Sequence, residues 1–360
     1  MREDSSVKLV VGLDVSDKWT QVCVVSMDSG EVIEEGRVRT RKVAVRERFA
    51  GRPRMRIVLE VGTHSPWMSR LLEELGHEVI VANAAKVGLI HGNSRKRDRT
   101  DAENLARLGR VDPKLLHRIR HRSQSAQEDL AVIRSRDQLV RCRSQLISHV
   151  RGSVKAMGSR LPSCSTECFA RRAAAEIPQG LKPALDPILA QIATLTQAIR
   201  ESDRRIEQLA KQYGVTELLV PIRGVGALTA LTYVLVLEDP TRFATSRAVG
   251  AYLGYVRRLD ESGESSPPLR ISKEGDELLR RLLVHCAHYI LGPFGEDCDL
   301  RRFGERIARR GGSFAKKKAV VAVARKLAVL LHHLWVTGEV YDPFYTARRK
   351  GEAPQEEDAA

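Results

Sequence analysis

A chain of 360 residues with 60 lysines and arginines against 45 acids carries a net charge of +15, enough length for two or three domains with ample core. The basic excess favours a polyanionic partner, nucleic acid before a membrane surface, and no apolar run reads as long enough to span a bilayer. Arg2 opens no secretion signal, and aromatics at 5% argue against base stacking as the main binding mode.

The six cysteines (Cys23, Cys142, Cys164, Cys168, Cys286, Cys298) are scattered. Cys164 and Cys168 lack His or Cys partners at zinc spacing, so reduced thiols in a bacterial cytosol or nucleoid are expected.

Val7–Asp14 (VKLVVGLD) is a β-branched run that ends on a carboxylate, the pattern of a strand buried on both faces. Burying Asp14 there costs several kcal/mol (about 2–7 for a polar group, more for a charge) unless something balances it. A bound cation does so, although a carboxylate capping the next turn would look the same. Gln21–Met27 and Glu31–Arg39 read as strands around an Asp28-Ser29-Gly30 hairpin turn. Arg41–Ala50 reads as a helix, Arg56–Glu60 as a short buried strand that again ends on a carboxylate, and Ser65–Leu75 as an amphipathic helix. Glu78–Val81 is the next strand and Ala84–Gly92 a short helix. This order is that of an RNase H-like α/β fold.

In that order Asp14 and Glu60 end neighbouring strands and can face each other. Ser94–Leu108 (SRKRDRTDAENLARL) begins a helix whose Asp98 and Asp101, three apart, share a face. Acids at a helix start are also simply favoured by the helix dipole. Arg95, Lys96, Arg97 and Arg99 are what a phosphate backbone would want nearby. Four carboxylates from two strands and a helix suit two divalent cations, which clamp the attacking and leaving oxygens of a phosphodiester. Hard oxygen ligands point to magnesium. His64 reads as a polar turn residue rather than a ligand.

GLDVSDKW at 12–19, LEVGTHSPW at 59–67 and KRDRTDAENLARL at 96–108 resemble the DEDD motifs of one transposase family, the Piv-type invertases and related insertion-sequence transposases. Its first domain is RuvC-like. By position the resemblance implies an acidic tetrad of Asp14, Glu60, Asp98 and Asp101.

Gln124–Met157 keeps near-helical apolar spacing with arginine-rich outer faces, and Leu185–Tyr213 resumes it after a shorter insert. Two long helices imply an antiparallel or intermolecular coiled coil, read either as a spacer or as a dimerisation arm that touches nucleic acid. The resemblance favours the arm.

Leu219–Ala230 (LVPIRGVGALTA) looks like a helix-hairpin-helix, whose glycines let backbone N–H groups approach a phosphate. Any tight turn would use Gly224 and Gly226 as well. A helix at Ser246–Leu253 is followed by Arg257–Arg270, which lacks apolar periodicity and reads as a loop, and by a helix at Asp276–Ile290. Phe243–Ala287 resembles the carboxy-terminal domain of the same family, where a serine followed by glycine is the nucleophile. By position that is Ser262; Ser265 and Ser266 fit less well, and Asp260, Glu261 and Glu264 make the loop more acidic than is usual there. With no adjacent base, Ser262 would rely on the metal tetrad for activation, so the domains would have to come together. Ala315–His333 reads as a core helix and Ala347–Ala360 as disordered.

The expected organisation is a RuvC-like α/β domain at 1–122, a helical coiled-coil middle at 123–213, a mainly α transposase domain at 214–345, and a disordered tail at 346–360. The resemblance implies a magnesium-dependent recombinase that cleaves and exchanges DNA strands, donor ends and target, through a phosphoserine. It also implies guidance by a noncoding bridge RNA and a homodimer or tetramer. A RuvC-like hydrolytic nuclease and a Piv-type invertase are the alternatives. A sugar-kinase-like or actin-like ATPase would need further phosphate loops, which the sequence does not offer.

Overall fold

The first strand, Leu9–Val15 (β1), lies at the centre of a five-stranded sheet, because apolar side chains leave both of its faces. The structure, a computed structural model, describes residues 7–83, 98–258, 269–312, 314–349 and 351, with the side chains of Asp98 and Arg99 excepted. Its contacts divide the chain into two compact units, 1–122 and 123–360.

In the first unit β1 is followed by β2 (Trp19–Ser26), β3 (Val32–Arg39), α1 (Lys42–Phe49), β4 (Arg56–Glu60), α2 (Ser65–Glu74), β5 (Glu78–Ala82) and α3 (Asp98–Val111). The order across the sheet is β3-β2-β1-β4-β5. The β1–β2 and β2–β3 pairs are antiparallel, and β1–β4 and β4–β5 are parallel. This mixed sheet with helices on its faces is compatible with an RNase H-like domain. The expected short helix at Ala84–Gly92 lies outside the described residues.

Alternation along the strands sorts the core into two layers. Val11, Leu13, Ile57, Leu59, Val79 and Val81 face α1 and α2. Val10, Cys23, Val25, Val58, Ile80 and Ala82 face α3 through Ala102, Leu105 and Ala106. The second layer is unusually close. A Cβ on Gly12 would stand 1.8 Å from the carbonyl oxygen of Ala102, and one on Gly109 would stand 2.4 Å from Val58 Cγ2. Helix α3 therefore lies backbone-to-backbone on β1. At the hairpin, Arg110 donates to the carbonyls of Met27 and Asp28, both at 2.9 Å, and holds the turn at Gly30 (φ +76°).

His77 is buried beneath α1. Its Nε2–H donates to the Phe49 carbonyl (3.2 Å), and Nδ1 accepts from the Met55 amide (3.4 Å), so the ring is neutral. Burial lowers its pKa from the ordinary 6.5, partly offset by the Phe49 bond. The folded state therefore binds fewer protons than the unfolded one between these two values, and stability falls as pH drops below about 6.5. Urea midpoints followed from pH 7.5 to 5 should decline, and His77→Gln should flatten that decline.

The second unit opens with α4 (Gln124–Ala156), a small tip helix α5 (Phe169–Ala174) and α6 (Lys182–Gln212). The two long helices pair antiparallel within the chain. Tyr213 donates to Asp129 (2.5 Å) at one end, Arg136 meets Asp203 (2.8 Å), and buried Arg143 bonds Thr196 (3.3 Å) farther out. Beyond that layer, Ile147, Val150 and Val154 pack with Phe169, Ile177, Leu185, Leu189 and Ile192 as a separate apolar cluster.

At the opposite end Ala126, Leu130, Ile133, Ile206 and Ala210 join the core of the remaining helices. These are α7 (Val215–Leu219), α8 (Ala227–Leu237), α9 (Ser246–Tyr252), α10 (Glu277–Leu291), α11 (Asp299–Arg309) and α12 (Ala315–Thr337), followed by α13 (Tyr345–Arg349). Helix α8 is buried from Thr229 to Leu237. Helix α12 corrects one expectation, since its 23 residues are long and apolar enough to cross a membrane by length and composition. Val323, Ala324, Leu327, Ala328 and Leu331 are fully buried within the protein core, and Tyr233 donates to the Ala328 carbonyl at 2.7 Å, the contacts of an interior helix. Helix α13 runs from Tyr345 into the stretch expected to be disordered, with Ala347 buried; residues 350 and 352–360 lie outside the described residues.

Candidate active site

Gly12 and Asp14 are two apart on β1, so both face α3, and Val58 and Glu60 on β4 do the same. The parallel register Gly12↔Val58 and Leu13↔Leu59 continues by one step to set Asp14 beside Glu60. Both carboxylates are half-buried and line one cavity of about 290 Å³ with Val15, Asp17, Val61, Gly62, Thr63, His64 and Ser65. Ala102 lies over Gly12 and Gly109 lies over Val10 and Val58, so α3 runs antiparallel to β1. Its first turn, with Asp98 and Asp101, is thus delivered to the end of the sheet where Asp14 and Glu60 stand.

The site is built of oxygen donors. His64 Nδ1 accepts from the Trp67 indole (3.1 Å), which leaves Nε2 to donate to Asp17 (3.4 Å). His64 is thereby tied into a turn rather than offered as a ligand. Ser65 Oγ donates to the Gly62 carbonyl (2.8 Å) and meets His121 Nε2 (2.8 Å). Burial, with Arg70 and Arg122 beside it, lowers the His121 pKa, so that ring is neutral at pH 7. Two adjacent carboxylates among hydroxyl oxygens fit a hard divalent cation.

Of the expected tetrad, Asp14 and Glu60 are brought together. Asp101 sits on the first turn of α3 and does not line the cavity, and the side chain of Asp98 lies outside the described residues. Among the described residues no three carboxylate, imidazole or thiol groups come close enough to hold a metal ion together. The sequence reading passed over Asp17, Thr63 and Ser65. Asp17 follows Asp14 by three residues in a polar turn and stays exposed, bordering the cavity at its rim.

Ser262, Ser265 and Ser266 lie outside the described residues, but the base of their segment does not. Arg257 pairs with Ile271 in an antiparallel bridge, the Arg258 amide donates to the Arg270 carbonyl (3.0 Å), and that of Ser272 donates to Val256 (2.8 Å). Two glycines permit this crossing. A Cβ on Gly254 (φ +74°) would meet the Glu274 carbonyl at 2.3 Å, and one on Gly275 (φ +80°) would meet that of Tyr252 at 2.2 Å. Asp276 then caps α10 by accepting from the Leu279 amide (2.9 Å). The described residues on either side, 256–258 and 270–272, are thus pinned together.

Comparison with known proteins fits this layout. Residues 11–157 match a model of DEDD-type IS110 transposases, and residues 216–294 match one described as the transposase IS116/IS110/IS902 family. The chain is 29% identical to the transposase for insertion sequence element IS1111A of Coxiella burnetii, over 69% of each protein. It is 26% identical to a probable family 20 transposase of Pseudomonas aeruginosa, over 92% of this chain and 98% of that one. A third relative, the transposase for insertion sequence element IS1328 of Yersinia enterocolitica, is 28% identical over 70% of this chain and 75% of its own. The first of the two family matches spans both acid-bearing strand ends and α3, the second lies within the helical second unit, and the chain belongs to the IS116/IS110/IS902 family of insertion-sequence transposases, enzymes that cleave DNA and transfer its strands.

Proposed function

We propose that the protein is the recombinase of its insertion sequence, cutting element ends and target and exchanging strands through a covalent phosphoserine. The observation that supports this reading most is the pairing of Asp14 with Glu60 in one cavity at the end of β1 and β4, with the first turn of α3 delivered beside them. In this reading Asp14, Glu60, Asp98 and Asp101 hold magnesium. Bound there, the ions would stabilise charge on the attacking and leaving oxygens of the phosphodiester.

The chain's own step is an exchange at phosphorus by Ser262. Its Oγ forms a bond to the scissile phosphorus as the bond from phosphorus to the departing strand breaks. The hydroxyl proton is lost from Oγ, and the departing oxygen takes one up. The phosphoserine keeps the bond energy, and a hydroxyl of the incoming strand attacks it to rejoin DNA and release Ser262. The charge of +15 supports a second polyanion on the protein, a noncoding guide RNA from the element. A homodimer or tetramer acting at the nucleoid, and a working division at 1–122, 123–213 and 214–345, complete the proposal.

The test is incubation of the full chain with magnesium, the element's RNA and end-bearing DNA, followed by denaturing gels for DNA-linked protein. A covalent adduct is expected, lost in Ser262→Ala and in Asp101→Ala. Metal-dependent cutting that persists without an adduct in Ser262→Ala would instead make the enzyme a hydrolytic nuclease.

A further inference from the structure

Several arginines that flank the sheet in the first unit are committed to carboxylates. Arg48 and Arg52 both bind Glu34, Arg46 binds Glu74, and Arg56 binds Glu78. Arg37 and Arg39 on the edge strand β3 differ. Both are exposed, and neither forms an ion pair with a described residue. Instead both guanidinium groups lie against one indole, that of Trp19, at 4.3 and 4.6 Å from the ring centre. An arginine stacked this way keeps its N–H fork aimed outward while losing little freedom on binding, the arrangement suited to a phosphate.

Register fixes where these groups point. Trp19 pairs with Arg39, Gln21 with Arg37, and Gln21 in turn with Asp14. The row Arg37, Gln21, Asp14, Glu60 therefore crosses four neighbouring strands on the face that carries α3. Two strand spacings, roughly 10 Å, separate Arg37 from Asp14. Between them lies a hollow of about 400 Å³ lined by Gln21, Val22, Glu35, Gly36, Arg37 and Ala102. Its carboxylate, Glu35, sits opposite Cys23, on the side away from Trp19.

We propose that Arg37 and Arg39, held by Trp19, bind the backbone phosphates of the DNA strand to be cut and lead it across Gln21 to Asp14 and Glu60. Trp19 is then a positioning residue that acts through the two arginines. This rests on the assignment of Asp14 and Glu60 as the cutting site. Charges on an edge strand also deter pairing with other sheets, and that role alone predicts no change in DNA affinity.

The experiment measures anisotropy of a labelled single-stranded DNA carrying an element end, bound by the full chain in EDTA across a salt series. EDTA removes cutting from the readout. Arg37→Ala/Arg39→Ala should weaken binding about ten-fold and lower the slope of log affinity against log salt by about 1.4, the value for two phosphate contacts on a single strand. Arg37→Lys/Arg39→Lys should restore the slope but not the full affinity. Trp19→Leu should weaken binding less than the double alanine variant, and in magnesium raise KM while leaving the cutting rate at saturating DNA intact. Affinity and slope equal to those of the parent would overturn the proposal. So would a loss confined to an RNA oligonucleotide of the same sequence, which would assign the arginines to the guide. Should Asp14→Asn leave cutting intact, the acid assignment falls while the binding result still reads the arginines alone.

Discussion

Asp14→Asn is expected to abolish DNA cutting, by a factor on the order of a thousand or more, the scale set by losing one preorganised stabiliser of transition-state charge. The substitution keeps size and shape, so β1 should still pair with β2 and β4, and the unfolding midpoint should stay close to that of the parent. What changes is the charge on a half-buried side chain beside Glu60 in a cavity of about 290 Å³. A neutral amide there removes one of the four carboxylates proposed to hold the ions, the one that stands beside Glu60. The measurement is a single-turnover rate on labelled DNA in magnesium, with thermal unfolding as the control. A rate within ten-fold of the parent would remove Asp14 from the chemistry.

Gly12→Ala should have the largest effect on stability. The added methyl would stand 1.8 Å from the Ala102 carbonyl oxygen and 2.7 Å from the Ala106 amide nitrogen, both backbone atoms of α3. Neither can turn aside, so the whole helix has to lift from the sheet. Overpacking of this kind costs about 1–3 kcal/mol when side chains give way and more when backbone must. We expect about 3 kcal/mol or more by urea unfolding. Gly109→Ala meets Val58 Cγ2 at 2.4 Å, a side-chain atom, and should cost less. Lifting α3 also moves Asp101 away from β1, so any Gly12→Ala protein that folds should cut slowly. If both variants lost equal stability, the contact at Gly12 would be softer than its geometry implies.

Much of the first unit was legible because its signals are local. Apolar runs ending in Asp14 and Glu60 gave the strands, and the three-residue spacing of Asp98 and Asp101 gave a shared helical face. Strand alternation then placed both strand-end acids on one side. What could not be read depends on partners distant in sequence. The DKW turn gives no sign that Asp17 will border a cavity closed by residues 60–65. Nothing in GLD marks Gly12 as the point where Ala102 will rest. Arg37 and Arg39 look like solvated edge charges until β2 brings Trp19 alongside. The helix Asp299–Arg309 was legible in principle, since Leu300, Phe303, Ile307 and Ala308 of DLRRFGERIAR keep helical spacing, but charged side chains crowd between them and the structure fully buries only Leu300 and Gly304.

The helical pair of the second unit has a consequence for how such proteins diverge. Its two ends are packed in separate clusters, and between them buried Arg143 reaches Thr196 across the pair. That polar contact has one partner position, so sliding one helix along the other by a turn strands a guanidinium in the interior. Additions or deletions in Gln124–Ala156 must therefore be matched by equal ones in Lys182–Gln212 on the same side of that layer. Among homologues the arm should lengthen or shorten in paired steps, with insertions in one helix accompanied by insertions in the other.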